Sequence, residues 1–210
     1  MNYIYLHGFL SGPDSGKGRF LSDKLQKQGI TLLRPDLNGG DFKNMTISSQ
    51  LNVAEKLLDS LPGDTILLGS SLGGFLAAML AEKHKKVQKL VLMAPAFDFA
   101  NRYLSRLPEK ELEKWRETGT VSLFHYHFNR KRELSYAIIP DAEKYRNIQH
   151  RRQLPVQIFH GINDLSVPYT LSVEYLKTHP QSELILLNSD HGLLDKLETI
   201  WFHNKGFLEI

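Results

Sequence analysis

Six short stretches rich in Val, Ile and Leu recur along the chain, at Tyr3–Leu6, Thr31–Arg34, Thr65–Leu68, Lys89–Met93, Val156–His160 and Glu183–Leu187. Several are apolar at consecutive positions and do not alternate. That is the pattern of strands covered on both faces, as in a parallel sheet. Between them, helical spacing of apolar positions predicts helices over Gly18–Gln28, Ile47–Ser60, Gly74–His84, Tyr169–Lys177 and Leu193–His203. Strand and helix alternate, which implies right-handed β-α-β crossovers and an α/β fold with a doubly wound, mostly parallel six-stranded sheet. In such sheets the ligand site lies outside the C-terminal ends of the strands. Any chemistry is therefore expected from residues that immediately follow a strand.

The interval 97–154 breaks this rhythm. It contains no stretch that reads as a strand, and it mixes Trp115, Phe124, Tyr126, Phe128, Tyr136 and Tyr145 with the basic runs Arg130-Lys131-Arg132 and Arg151-Arg152. It is expected to be a helical cap insertion over the site. An ordinary crossover with extra surface helices is the alternative. No repeat or change of composition marks a second domain, so residues 1–210 read as a single domain carrying that insertion.

Composition narrows the chemistry. A chain of 210 residues has the length for one core that buries roughly 70% of its unfolded surface. The absence of cysteine excludes a disulfide framework, a thiolate nucleophile and thiolate zinc sites. No apolar run approaches the length of a membrane span. Residues 1–6 read as the first strand and not as a signal peptide, so a cytoplasmic protein with no membrane partner is expected. A net charge of +3 is mild. The basic runs in the insertion are broken by acidic residues and form no known nucleic-acid module, so no nucleic-acid partner is expected either.

The strand ends carry the candidates. Thr65–Leu68 runs into Gly69-Ser70-Ser71-Leu72-Gly73, a G-x-S-x-G sequence followed at once by the small-residue helix from Gly74. A serine on so sharp a strand-to-helix turn is held in a strained backbone conformation with its hydroxyl exposed. Flanking glycines allow the close approach this requires. Ser71 is therefore the candidate nucleophile. A free serine hydroxyl is a poor nucleophile and needs a base, for which His191, after the last strand, is the candidate. Asp164, after the fifth strand in His160-Gly161-Ile162-Asn163-Asp164, would accept the other imidazole N–H and fix the tautomer. The chain order Ser, Asp, His is that of α/β-hydrolases and not of other serine-triad folds. The backbone N–H groups of Leu72 and Phe9 are the candidate oxyanion donors.

These motifs can be set beside a known family. Tyr5-Leu6-His7-Gly8-Phe9 with Ser11-Gly12-Pro13, then Gly69-Ser70-Ser71-Leu72-Gly73-Gly74, then His160-Gly161-x-x-Asp164 and Asp190-His191 resemble the α/β-hydrolase superfamily. More narrowly, they resemble the small bacterial YqiA/YcfP-type esterases. The resemblance implies a carboxylic-ester hydrolase for short or medium acyl chains, or thioesters. It also implies a sheet that lacks the superfamily's first antiparallel strands. The expected partner is then a small acyl ester or thioester, with neither metal nor organic cofactor required. His7, Gly8, Phe97 and Trp115 are expected at the substrate pocket, with Phe9 and Leu72 as further walls. Peptide cleavage and acyl transfer use the same machinery and stay open, as does a non-catalytic binding protein on the same fold.

Other readings are weaker. Asp98 follows the fourth strand and rivals Asp164 as the acid, while Asp190 reads as a loop cap. His7 is expected to brace the loop before Gly8. His125 and His127 lack a third ligand for a metal. His84 and His179 read as solvated residues at helix ends. Ser11–Gly18 has the place of a phosphate loop but lacks its first glycine and its Ser or Thr after Lys17. It reads as a rim loop.

Overall fold

A computed structural model describes residues 1–105 and 107–210, with side chains at all of these except 103–105. Six strands form one sheet: β1 (Asn2–Leu6), β2 (Leu32–Leu33), β3 (Thr65–Ser70), β4 (Val87–Met93), β7 (Val156–Gly161) and β8 (Ser182–Leu187). Their order is β2-β1-β3-β4-β7-β8 and every neighbouring pair is parallel. The chain leaves β1 toward β2 and returns to the other side of β1 at β3. A crevice opens where the winding reverses, at the C-terminal ends of β1 and β3.

Alternate residues of each strand feed separate cores, which is why the strands read as continuous apolar runs. Ile4, Leu6 and Leu67 pack on one face with α2 (Ile47–Ser60) and α3 (Leu72–Lys83). Tyr3, Tyr5, Ile66 and Leu68 pack on the other with α1 (Gly16–Gln26) and α8 (Leu197–Leu208). Ten of the twelve residues of α3 are buried, and Gly and Ala along it keep its backbone close to the sheet. Helix α2 starts at a reciprocal cap in which Thr46 and Ser49 satisfy each other's backbone N–H. Helix α7 (Thr170–Thr178) joins β7 to β8.

The segment between β4 and β7 corrects the sequence reading. It holds helices α4 (Phe99–Ser105), α5 (Glu109–Thr118) and α6 (Ile138–Glu143), but also an antiparallel hairpin of β5 (Thr120–His125) and β6 (Arg130–Ser135). The segment is therefore not purely helical. A run of charge, Arg130 to Glu133, hid the second strand. Those residues are largely exposed, and only Leu134 of β6 is fully buried. Asn129 makes the turn with φ 49°.

The hairpin encloses a third apolar cluster of Phe42, Met45, Trp115, Leu134, Ile138 and Ile139. The segment is tied down by polar contacts too. Asp141 accepts from the amide and hydroxyl of Ser48 at 2.8 and 2.6 Å. The guanidinium of Arg152 donates to the carbonyls of Ala81, His84 and Val87 at 2.6 to 2.7 Å, around the end of α3.

Two glycines give opposite expectations for the same substitution. A Cβ on Gly73 would lie 2.1 Å from the carbonyl oxygen of Leu6, a backbone atom that cannot move aside. Gly73→Ala is expected to destabilise by about 3 kcal/mol or more. A Cβ on Gly206, inside α8, meets nothing within 4 Å. Gly206→Ala is expected to stabilise by up to about 1 kcal/mol. Urea unfolding of both variants checks the pair.

Candidate active site

Ser71 stands between β3 and α3 with φ 54° and ψ −120°. A residue with a side chain adopts this conformation only when its surroundings impose it. Here they do. Its N–H donates to the carbonyl of Met93 at 2.9 Å, and its carbonyl accepts from Gly74 and Ala96 at 3.0 Å each. Any Cβ on Gly69 would lie 2.5 Å from the carbonyl of Gly73, so the two glycines of the motif pack directly against one another. The Gly8 backbone also closes on the turn, since a Cβ there would lie 3.2 Å from that of Ser71. The amide of Leu72, in the first turn of α3, has no acceptor within the helix. The Leu72 side chain lies in the core, not in a pocket wall.

The three polar residues from distant strand ends meet. His191 Nε2 lies 3.0 Å from Ser71 Oγ, and its Nδ1 lies 2.7 Å from Asp164 Oδ2. The Asp164 side chain has no solvent exposure, while that of His191 is 30% exposed, so the imidazole faces the crevice with its acid partner hidden behind it. Asp164 Oδ1 accepts from the amides of Ser166 and Val167 at 2.8 Å each. Its Oδ2 takes a second imidazole, with His160 Nε2 at 3.2 Å. His160 is fully buried. Its Nε2 also lies 2.9 Å from the carbonyl of Val167, and its Nδ1 lies 2.8 Å from Ser172 Oγ. These partners assign the proton to Nε2 and make Nδ1 the acceptor. Burial alone would raise the Asp164 carboxyl. The hydrogen bonds from His160, His191 and the Val167 amide outweigh it, and the net shift is well below the usual carboxylate range.

The first turn of α1 supplies a cation whose contact the sequence reading did not foresee. Lys17 Nζ donates to the carbonyl of Gly192, next to His191, at 2.7 Å. Burial lowers its pKa to about 8, against an opposing pull from Asp164 and Asp190. The phosphate-loop pattern had drawn attention to this residue, but its actual contact was not legible in the motif. His160 was visible only as the first letter of His-Gly-x-x-Asp.

Ser71 and His191 line two cavities. The smaller, about 210 Å³, has walls from Phe9, Ala96, Phe99 and Val167, with Asp98 and Arg102 also lining it. The larger, about 510 Å³, is bounded by Gly8, Lys17, Arg19, Tyr126 and His127. Gly8 and Phe9 thus lie at the site, but, besides Leu72, three other expected pocket residues do not. Trp115 is buried in the cap cluster and donates through Nε1 to the carbonyl of Leu134 at 3.1 Å, because it is the one buried residue of α5. Phe97 stacks on Tyr175, ring centroids 4.6 Å apart, and lines a neighbouring groove. His7 is buried. It accepts from the Leu37 amide at 3.0 Å and braces the Gly8 carbonyl, the bracing role expected of it.

The remaining candidates fall outside the Ser71–His191 pair. Asp98 bonds to Asn101, and Asp190 caps its loop by accepting from the Gly192 amide. His125 is buried against Phe42 and Phe128. Burial first, then the nearby His127, pushes its pKa down to about 4. Among the described residues no group of three side chains could hold a metal ion. His179 is not a solvated helix end: it is buried and stacked on Tyr175 at 3.8 Å. Among the described residues no helix is long and apolar enough to cross a membrane.

Comparison with known proteins bears on the whole chain. A family model described as "Uncharacterised protein family (UPF0227)" matches residues 2–205. No curated protein matches. Among solved structures, the alpha/beta hydrolase domain-containing protein 10 from mouse is 23% identical with a TM-score of 0.83, covering 99% of this chain and 89% of that one. A protein of Agrobacterium vitis S4, assigned as a hydrolase, is 26% identical with a TM-score of 0.84, covering 98% and 87%. The monoacylglycerol lipase of Paleococcus ferrophilus is 16% identical with a TM-score of 0.74, covering 98% and 91%. The fold is that of the α/β-hydrolases.

The depressed Asp164 carboxyl makes a stability prediction. A group whose folded pKa lies below its unfolded value contributes stability above the unfolded pKa and loses it as pH falls through the folded one. The stability gap between wild type and Asp164→Asn is therefore expected to be full at pH 7 and to shrink below about pH 4. Urea unfolding from pH 7 to pH 2.5 checks it, and a gap independent of pH would contradict an ionised, hydrogen-bonded carboxylate.

Proposed function

The chain belongs to the UPF0227 family, and from that premise we propose that it is a serine hydrolase cleaving carboxylic esters, or thioesters, through an acyl-enzyme. The observation that carries this reading is the continuous line from Asp164 through His191 to Ser71, with contacts of 2.7 and 3.0 Å. Those are hydrogen-bond distances suited to proton transfer. The hydrolases among the similar folds support it.

In the proposed reaction Ser71 Oγ attacks the acyl carbon and its proton passes to His191 Nε2. Asp164 stabilises the imidazolium that forms without taking the proton. The amides of Leu72 and Phe9 stabilise the oxyanion, each such donor being worth about a hundred- to a thousandfold. As the carbon–oxygen or carbon–sulfur bond breaks, the imidazolium protonates the departing alcohol or thiol. Water then enters, gives its proton to His191 and releases the acid, restoring the serine. The balance is ester plus water to acid plus alcohol, with no cofactor taking part. His160 and the Ser166 and Val167 amides hold the carboxylate ionised and fixed, so that its remaining lone pair points at His191. Peptide cleavage and acyl transfer share these steps. Water is named as the acceptor because the hydrolases among the similar folds point to it.

A panel of nitrophenyl esters graded by acyl length, run beside acyl-thioesters, tests the proposal. Ser71→Ala and His191→Ala are each expected to lower kcat/KM by about 10⁴ or more, nearly equally, because the members act as a unit. Asp164→Asn is expected to lower it by about 10²- to 10⁴-fold, and Asp98→Asn far less. Retention of most activity in His191→Ala would remove the base, and a larger loss in Asp98→Asn would move the acid to the end of β4.

A further inference from the structure

The two cavities that meet at Ser71 differ in charge as well as size. The smaller is lined by one carboxylate and one guanidinium, Asp98 and Arg102, so its wall carries no net charge. At about 210 Å³ it is somewhat larger than a cavity of about 150 Å³ that takes up a benzene molecule. A short or ring-sized acyl group fits it. The larger cavity, about 510 Å³, has Lys17 and Arg19 in its wall and a single carboxylate, Asp14. Asp14 is already engaged by Arg34 at 3.2 Å. Lys17 is bound to the Gly192 carbonyl and forms no ion pair with any described carboxylate.

An ammonium group half-removed from water, bonded directly only to a neutral carbonyl and drawn on by Asp164 and Asp190 from beyond ion-pair distance, is incompletely compensated in the empty protein. It is better compensated once an anion enters. The position matters as well as the charge. Gly192 follows His191, whose imidazolium must protonate the departing group, so Lys17 stands beside the place where the leaving group sits.

Resting on the hydrolase reading above, we propose that the preferred substrates join a short acyl group to an alcohol or thiol that carries a phosphate or carboxylate, with the acyl group in the small cavity and the anion against Lys17 and Arg19. The uncharged small cavity selects the acyl part by size. The cationic cavity selects the leaving group by charge, and does so next to the atom that receives the proton.

The test uses butyrate esters of one alcohol in three forms: neutral, carrying a phosphate, and carrying a carboxylate. Both anionic esters are expected to exceed the neutral one in kcat/KM by about tenfold or more at low salt, the worth of one hydrogen bond to a charged group. That advantage is expected to fall as salt screens the charges. The ratio of anionic to neutral kcat/KM is expected to drop about tenfold in Lys17→Met and to recover in part in Lys17→Arg. The ratio is the readout because Lys17 also touches the His191 loop. The salt series on wild type decides the matter even if Lys17→Met fails to fold. An advantage for the phosphate ester alone supports the proposal and names phosphate as the anion. Equal rates for all three esters, or an advantage that survives high salt, overturn it and leave the hydrolase reading intact. Hydrolysis of none of the esters overturns the hydrolase reading and this one together.

Discussion

The site depends on one backbone constraint: a serine held at φ 54° between a strand and a helix that approach closely. Left-handed backbone is unfavourable for a residue with a side chain, so neighbouring atoms must hold it there. Gly69 lies against Gly73, and Gly73 against the carbonyl of Leu6, at separations that admit no Cβ. The hydrogen bonds of Ser71 to Met93, Gly74 and Ala96 complete the clamp. Strand β3, helix α3 and the loop after β1 are thus locked to one another at the point where the winding of the sheet reverses. The hydroxyl is held at the crevice, within reach of His191, because the backbone beneath it is clamped.

A second constraint is electrostatic. The candidate acid is hidden from water yet ionised, which requires donors on both oxygens. The loop after β7 provides two amides on one oxygen, and two imidazoles share the other. Only one of these imidazoles, His191, is exposed toward the crevice. His160 is anchored through Ser172 and Val167 and serves as a fixed donor. Two histidines on one carboxylate therefore hold different places for a geometric reason: one is confined by the sheet and the other faces the crevice.

Much of this was legible in the sequence. The six apolar runs gave the sheet because strands covered on both faces leave a continuous signal. The G-x-S-x-G turn, the Asp after β7 and the His after β8 were found because a doubly wound sheet gathers strand ends at one edge. Much of what was missed lay in the insertion. The β5–β6 hairpin is buried on little more than one residue of its second strand, so its charge pattern read as solvated helix or loop. Trp115 and Phe97 were expected at the pocket because large aromatics in a cap suggest a wall. Each instead found an apolar partner of its own, Trp115 in the cap cluster and Phe97 on Tyr175. Lys17 was noticed only as part of an incomplete phosphate-loop pattern, and its contact was illegible because the partner, the Gly192 carbonyl, is 175 residues away.

The central claim is that Ser71 is a nucleophile activated by His191. A fluorophosphonate probe tests it most directly, since it reacts with a serine only when that serine is activated. Labelling of the folded wild type is expected to map to the peptide containing Ser71, to vanish in Ser71→Ala and to be strongly slowed in His191→Ala. Folded wild-type protein that takes up no probe, or takes it up equally well in Ser71→Ala, would contradict the account.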